Sequence, residues 1–90
     1  MNSQERKKVI KDLIVSRLNL KITASEIKDD AMLFVPEEEN GIGLDSVDAL
    51  ELAVSINNTF DVTISDDDMS IFNSVNSIND FVEKQLQVEL

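Results

Sequence analysis

Ninety residues bound this chain to one domain with a modest core, too little for a separate catalytic unit. It has no Cys and no His, which removes disulfides, thiolate metal sites, the usual general base and the commonest transition-metal ligand. The net charge of −10 repels nucleic acid and anionic lipid, so the composition argues against an enzyme, a nucleic-acid binder and a membrane protein alike.

The charge is unevenly placed. Residues 1–28 hold seven Lys/Arg against three Asp/Glu, whereas residues 29–83 hold fourteen Asp/Glu and no Lys or Arg. Acidic surfaces commonly serve solubility alone. A basic-free run of this length points further, to docking partners with basic patches. With 42% apolar and only 4% aromatic residues, the core is expected to be aliphatic. The longest wholly apolar run, MLFV at 32–35, is far too short to span a membrane. Glu5 and Asp12 interrupt the acid-poor pattern of a transit peptide, and a cytoplasmic protein is expected.

The first helix is predicted over residues 3–18. Val9, Ile10, Leu13, Ile14 and Leu18 fall on one face, Arg6, Lys7, Lys11 and Arg17 are left for solvent, and Asn2 followed by Glu5 is an N-cap signal. Periodicity then fades from 19 to 44. Thr23 to Glu26 has capping-box form, which predicts a single turn near 25–28. Met32, Leu33 and Phe34 are expected to enter the core, Pro36 halts any helix before it, and EEENGIG (37–43) reads as an exposed acidic loop. A connection this long in so small a domain is a candidate for function.

A second helix is predicted from Asp45 or Ser46 to about Asn58, with Asp45 as cap and Asp48 near the positive helix end. A short apolar linker, 60–64, follows. Asp66, Asp67 and Asp68 open a brief third helix with Met69, Ile71 and Phe72. Ser74 caps a fourth, whose inner stripe is Val75, Ile78, Phe81 or Val82, and Leu86. The expected fold is all-α, a small four-helix bundle spanning 1–90 as a single domain, with a long loop between the first and second helices.

The second helix carries two apolar faces. Ala49, Leu52, Ala53, Ile56 and Phe60 form the core stripe, and Val47, Leu50 and Val54 form another roughly opposite, edged by Asp48 and Glu51. Scattered surface apolar residues are ordinary, and a loop folded over Val47 and Leu50 would hide them. The acidic edging favours instead an exposed docking stripe.

Ser46 stands at the head of that helix, just after Gly41 and Gly43, the only glycines in the chain. No His is present to activate it as a nucleophile. A helix N-terminus does favour a phosphate on a serine oxygen, and the glycines allow a tight turn and room for a bulky group. On residue chemistry alone, a simple capping role is the commoner one.

The segment GLDSVDALEL, in order with the long first helix, the Phe34 loop, the helix ending at Phe60, VTI at 62–64 and SV at 74–75, resembles the acyl carrier protein family over nearly the whole chain. The resemblance implies that Ser46 is esterified to 4'-phosphopantetheine, installed from coenzyme A by a separate holo-synthase (a phosphopantetheinyl transferase). The arm's thiol would carry acyl groups as thioesters for fatty-acid, lipid or polyketide-type synthesis. Asp45, Val47, Asp48, Leu50, Glu51 and Val54 match the family's recognition helix, which meets basic patches on acyl-loading and synthase enzymes. The core around Ala49, Leu52, Ala53, Ile56, Phe60 and Ile71 is where a short acyl chain would shelter.

Three departures point to a specialised rather than a housekeeping carrier. Set beside the housekeeping fatty-acid carriers it resembles, the chain has a longer loop VPEEENGIG, Asn57 and Asn58 where those carriers usually have acidic residues, and Ser65 where a proline is common. No catalytic residue or metal site is expected: DVTISDDDMSIF lacks the Gly and Glu an EF-hand requires at its sixth and twelfth positions. Two other functions fit the same residues, a non-covalent helical adaptor in which Ser46 stays unmodified, and a carrier of a D-alanyl or aminoacyl group. A monomer is expected.

Overall fold

A computed structural model describes residues 2–39, 41–64 and 72–88. Three α-helices make up the described architecture: α1 (Ser3–Arg17), α2 (Ser46–Phe60) and α3 (Val75–Val88), with short 3-10 turns at Ala24–Glu26 and Glu37–Glu39. No strand occurs among the described residues. The all-α expectation holds, with α3 in the place of the expected fourth helix. The expected short third helix, from Asp66 to Phe72, lies outside the described residues except for Phe72, which is buried in the core, so three α-helices stand where four were expected.

Each helix start is set by the residue that sequence chemistry favours. The Asn2 side chain accepts the Glu5 N–H at 2.9 Å, opening α1. Ser74 Oγ accepts the Ser77 N–H at 3.2 Å, opening α3. At the single turn, the Thr23 N–H donates to Glu26 Oε2 at 2.6 Å. Asp61, in the left-handed region at φ 54°, ends α2 two residues beyond the expected Asn58.

α1 packs against both α2 and α3. The core joins Ile10 and Ile14 of α1, Leu52, Ala53, Ile56 and Phe60 of α2, and Val75, Ile78 and Val82 of α3. Of the two alternatives on α3, Val82 is fully buried and Phe81 only partly. The connections add Ile27, Leu33, Leu44, Val62, Ile64 and Phe72. Each fully buried aliphatic side chain contributes about 1.5–3 kcal/mol.

Two expectations are corrected. Met32 does not enter the core: it is 59% exposed, while Leu33 beside it is fully buried and Phe34 packs partly against the core. The backbone of Leu33 is tied to Asn73 and to Leu44, and its side chain takes the inward place. Arg6 was expected in solvent and is buried instead. Its guanidinium Nη1 donates to Asn79 Oδ1 of α3 at 3.1 Å and lies 4.0 Å from Glu83 Oε2. The partner 73 positions away gives the charge a place inside.

The long loop closes on itself. Leu33 donates its N–H to Asn73 O and accepts that of Leu44, both at 2.9 Å, and so ties the loop to the start of α3. The N–H groups of Ile42 and Gly43 donate to Met32 O (3.0 Å) and Val35 O (2.9 Å), and those of Glu39 and Gly41 to Pro36 O. Gly43 sits at φ 82°, where a side chain is strained. At Gly41 the Val35 backbone passes so close that a Cβ would collide with its carbonyl. The glycines therefore serve the tight turn expected of them, closing the loop that delivers the chain to α2.

Candidate attachment site and docking helix

Asp45 is the N-cap of α2 and Ser46 its first residue. The Asp45 Oδ1 accepts the Asp48 N–H at 2.9 Å, and the Asp48 Oδ2 accepts the Asp45 N–H at 3.1 Å. This reciprocal pair satisfies two backbone donors of the helix start. It also settles the division of labour at the turn: the capping role belongs to Asp45, which leaves the Ser46 hydroxyl outside the cap.

Ser46 is exposed, in the first turn, where the helix dipole presents its positive end. An anion on its oxygen fits there. The two neighbouring carboxylates are held by backbone N–H groups. Among the described residues, no group of acidic side chains is placed to hold a metal ion; Asp66, Asp67 and Asp68 lie outside them.

The second apolar stripe faces solvent. Val47 is 71% exposed, Leu50 55% and Val54 59%, whereas Ala49, Leu52, Ala53 and Ile56 on the other side are buried. Asp45 and Glu51 are exposed and Asp48 is half-buried, so the six residues expected to recognise partners line the outer side of α2 and its cap. The loop does not cover Val47 or Leu50.

Asn57 has a role that sequence reasoning missed. Its Oδ1 accepts the Ile64 N–H at 2.9 Å, anchoring the linker after α2. An amide in the last turn of a helix, ahead of an extended apolar segment, is the available signal. Met32, expected in the core, is instead a large apolar side chain left in solvent, its carbonyl accepting the Ile42 N–H. No helix among the described residues is long and apolar enough to cross a membrane.

Comparison with known proteins agrees with this geometry. Residues 39–84 match the family model described as a phosphopantetheine attachment site, a span holding the end of the loop, α2 and most of α3. An acyl carrier protein of Porphyromonas gingivalis is 35% identical over 85 residues, covering 94% of this chain and 99% of the relative. Acyl carrier proteins of Buchnera aphidicola (32% identical, 93% of this chain and 92% of the relative) and Phytoplasma australiense (34%, 86% and 92%) are also similar. The chain belongs to the acyl carrier protein family, carriers of acyl groups on a covalent 4'-phosphopantetheine arm and not enzymes.

Proposed function

We propose that Ser46 is the attachment residue and that the outer side of α2 is where partner enzymes dock. The observation carrying this is the exposure of Ser46 in the first turn of α2, with the capping role taken by Asp45. When attached, the arm supplies the terminal thiol on which acyl groups ride as thioesters. The chain's own residues supply the rest. The helix start holds the linking phosphate near its positive end. Val47, Leu50 and Val54 offer apolar contact, and Asp45, Asp48 and Glu51 meet basic patches on the holo-synthase and on the acyl-loading and synthase enzymes.

In this reading residues 1–90 form one domain, a monomeric cytoplasmic carrier. The long loop before α2, together with Asn57, Asn58 and Ser65, favours a specialised carrier with its own enzymes. The test incubates the protein with coenzyme A, magnesium and a broad-specificity holo-synthase and measures intact mass. A gain of one phosphopantetheinyl group, absent in Ser46→Ala, is the expected result. An unchanged mass favours the unmodified adaptor, and a gain that persists in Ser46→Ala moves the site elsewhere.

A further inference from the structure

The buried stripe of α1 is Arg6, Ile10 and Ile14, each one turn from the next. Two of the three are aliphatic and the last is a guanidinium, 7% exposed, set against Asn79 of α3, itself 2% exposed. Arg6 Nη1 donates to Asn79 Oδ1 at 3.1 Å and lies 4.0 Å from Glu83 Oε2. A charge placed inside a protein is tolerated only while its polar partners stay with it. The aliphatic core thus has a charged end wall, which neither attachment at Ser46 nor docking on α2 uses.

The wall stands at a definite depth from Ser46. Leu33 accepts the Leu44 N–H and donates to Asn73 O, so the segments entering α2 and α3 meet at one end of the molecule. Near that end the Asp29 carboxylate pairs with Lys11 and Lys7 while its carbonyl accepts the Asn76 N–H, in the first turn of α3. Arg6 lies nearer the start of α1 and reaches Asn79 and Glu83 farther along α3, so these two helices run antiparallel. Asn79 and Glu83 lie about 6 and 12 Å along the helix from Val75. An extended alkyl chain advances roughly 1.3 Å per carbon, so about five to nine carbons span that depth.

An alkyl group held as a thioester exposes apolar surface that water disfavours. α2 and α3 each pack on α1, and among the described residues they have few close backbone approaches to one another. The seam between them begins at the Ser46 end. It is bordered by buried aliphatic side chains, Leu52 and Ile56 of α2 and Val75 and Ile78 of α3.

We infer that the Arg6–Asn79 pair sets the depth limit for cargo, so that this carrier shelters short acyl chains, up to about eight carbons, and leaves the remainder of longer ones in water. The inference rests on attachment of the arm at Ser46. A chain pressed past that depth meets the guanidinium and parts it from Asn79 and Glu83, stranding a buried charge. A shorter chain stops among the aliphatic side chains and leaves the pair intact.

The test loads the protein with butanoyl, octanoyl, dodecanoyl and hexadecanoyl arms, using the acyl-coenzyme A forms and a broad-specificity holo-synthase. Tm is read against the same protein with the free arm, and thioester cleavage by hydroxylamine against the corresponding acyl-coenzyme A. In wild type, Tm and protection should both rise from butanoyl to octanoyl, with cleavage slowed roughly two- to fivefold, and rise no further for the two longer chains. In Arg6→Met the rise should continue to dodecanoyl. The same is expected of Arg6→Met/Asn79→Leu, which also replaces the amide that lost its donor. A wild type that protects no chain, or protects hexadecanoyl beyond octanoyl, overturns the depth limit. So does a break at the wild-type length in both apolar variants, and in each case attachment at Ser46 stands. A wild type that gains no acyl-arm mass removes both proposals.

Discussion

Asp45 and Asp48 exchange hydrogen bonds across the first turn of α2, each carboxylate accepting the other residue's backbone N–H at 2.9 and 3.1 Å. Cap and charge can be separated here. Asp45→Ala should destabilise the protein by about 1 kcal/mol, lowering Tm by roughly 4–8 °C. Asp45→Ser keeps a capping oxygen without the charge. It should melt close to wild type yet be modified more slowly by the holo-synthase. Calorimetry with modification rates on both variants checks this, and equal rates in wild type and Asp45→Ser would remove Asp45 from recognition.

The two faces of α2 should answer differently to truncation. Ile56→Val, in the core, is expected to cost about 1 kcal/mol. Leu50→Ala, on the exposed stripe, should stay within about 0.5 kcal/mol while weakening partner enzymes. Urea unfolding midpoints beside KM values make the comparison.

Adding one methyl group to either glycine tests the loop. Gly41→Ala drives a Cβ into the Val35 backbone and should cost on the order of 1–3 kcal/mol. Gly43→Ala places a side chain at φ 82°, with an expected cost of about 1–2 kcal/mol. Denaturation midpoints read both. A neutral Gly41→Ala would mean that the Val35 segment yields easily.

Among the described residues, acid sensitivity has a local source at Asp29. Asp29 lies 2.6 Å from Lys11 Nζ and 3.6 Å from Lys7 Nζ, and the hydrogen bond from Lys11 holds its carboxyl below the ordinary 3.8 against the opposing effect of burial. A depressed folded-state pKa stabilises the native protein above the ordinary value, and that contribution fades as pH falls through the folded one. The stability difference between wild type and Asp29→Asn should therefore be constant above about pH 5 and shrink below about pH 4. Midpoints of both proteins across pH 3–7 measure it, and a difference that grows on acidification would reverse the assignment.

Local pattern revealed what depends on local geometry. The starts of α1, α2 and α3 were legible because Asn2, Asp45 and Ser74 satisfy donors within three residues of themselves. The exposed stripe of α2 was legible because a 15-residue helix in a small domain has one side too many for the core. Arg6 was misplaced because its hydrogen-bond partner, Asn79, sits on another helix. Met32 was misplaced because MLFV has no period that says which of its residues faces inward, and the Leu33 pairing with Asn73 and Leu44 decides it. The tight approach of Gly41 to Val35 belongs to tertiary contact, to which a single sequence gives no access.

The bare aliphatic ridge on α2 carries a hazard for a protein crowded among copies of itself, since three such side chains would readily find their counterparts on a neighbour. The carboxylates that border it supply the safeguard: at net charge −10, like molecules push apart while an oppositely charged enzyme is drawn in. Both effects fade together as added electrolyte shortens the Debye length from about 10 Å at 0.1 M to about 3 Å at 1 M. Concentrated brine should thus make this molecule a poorer guest for its enzymes and a stickier companion to its own kind.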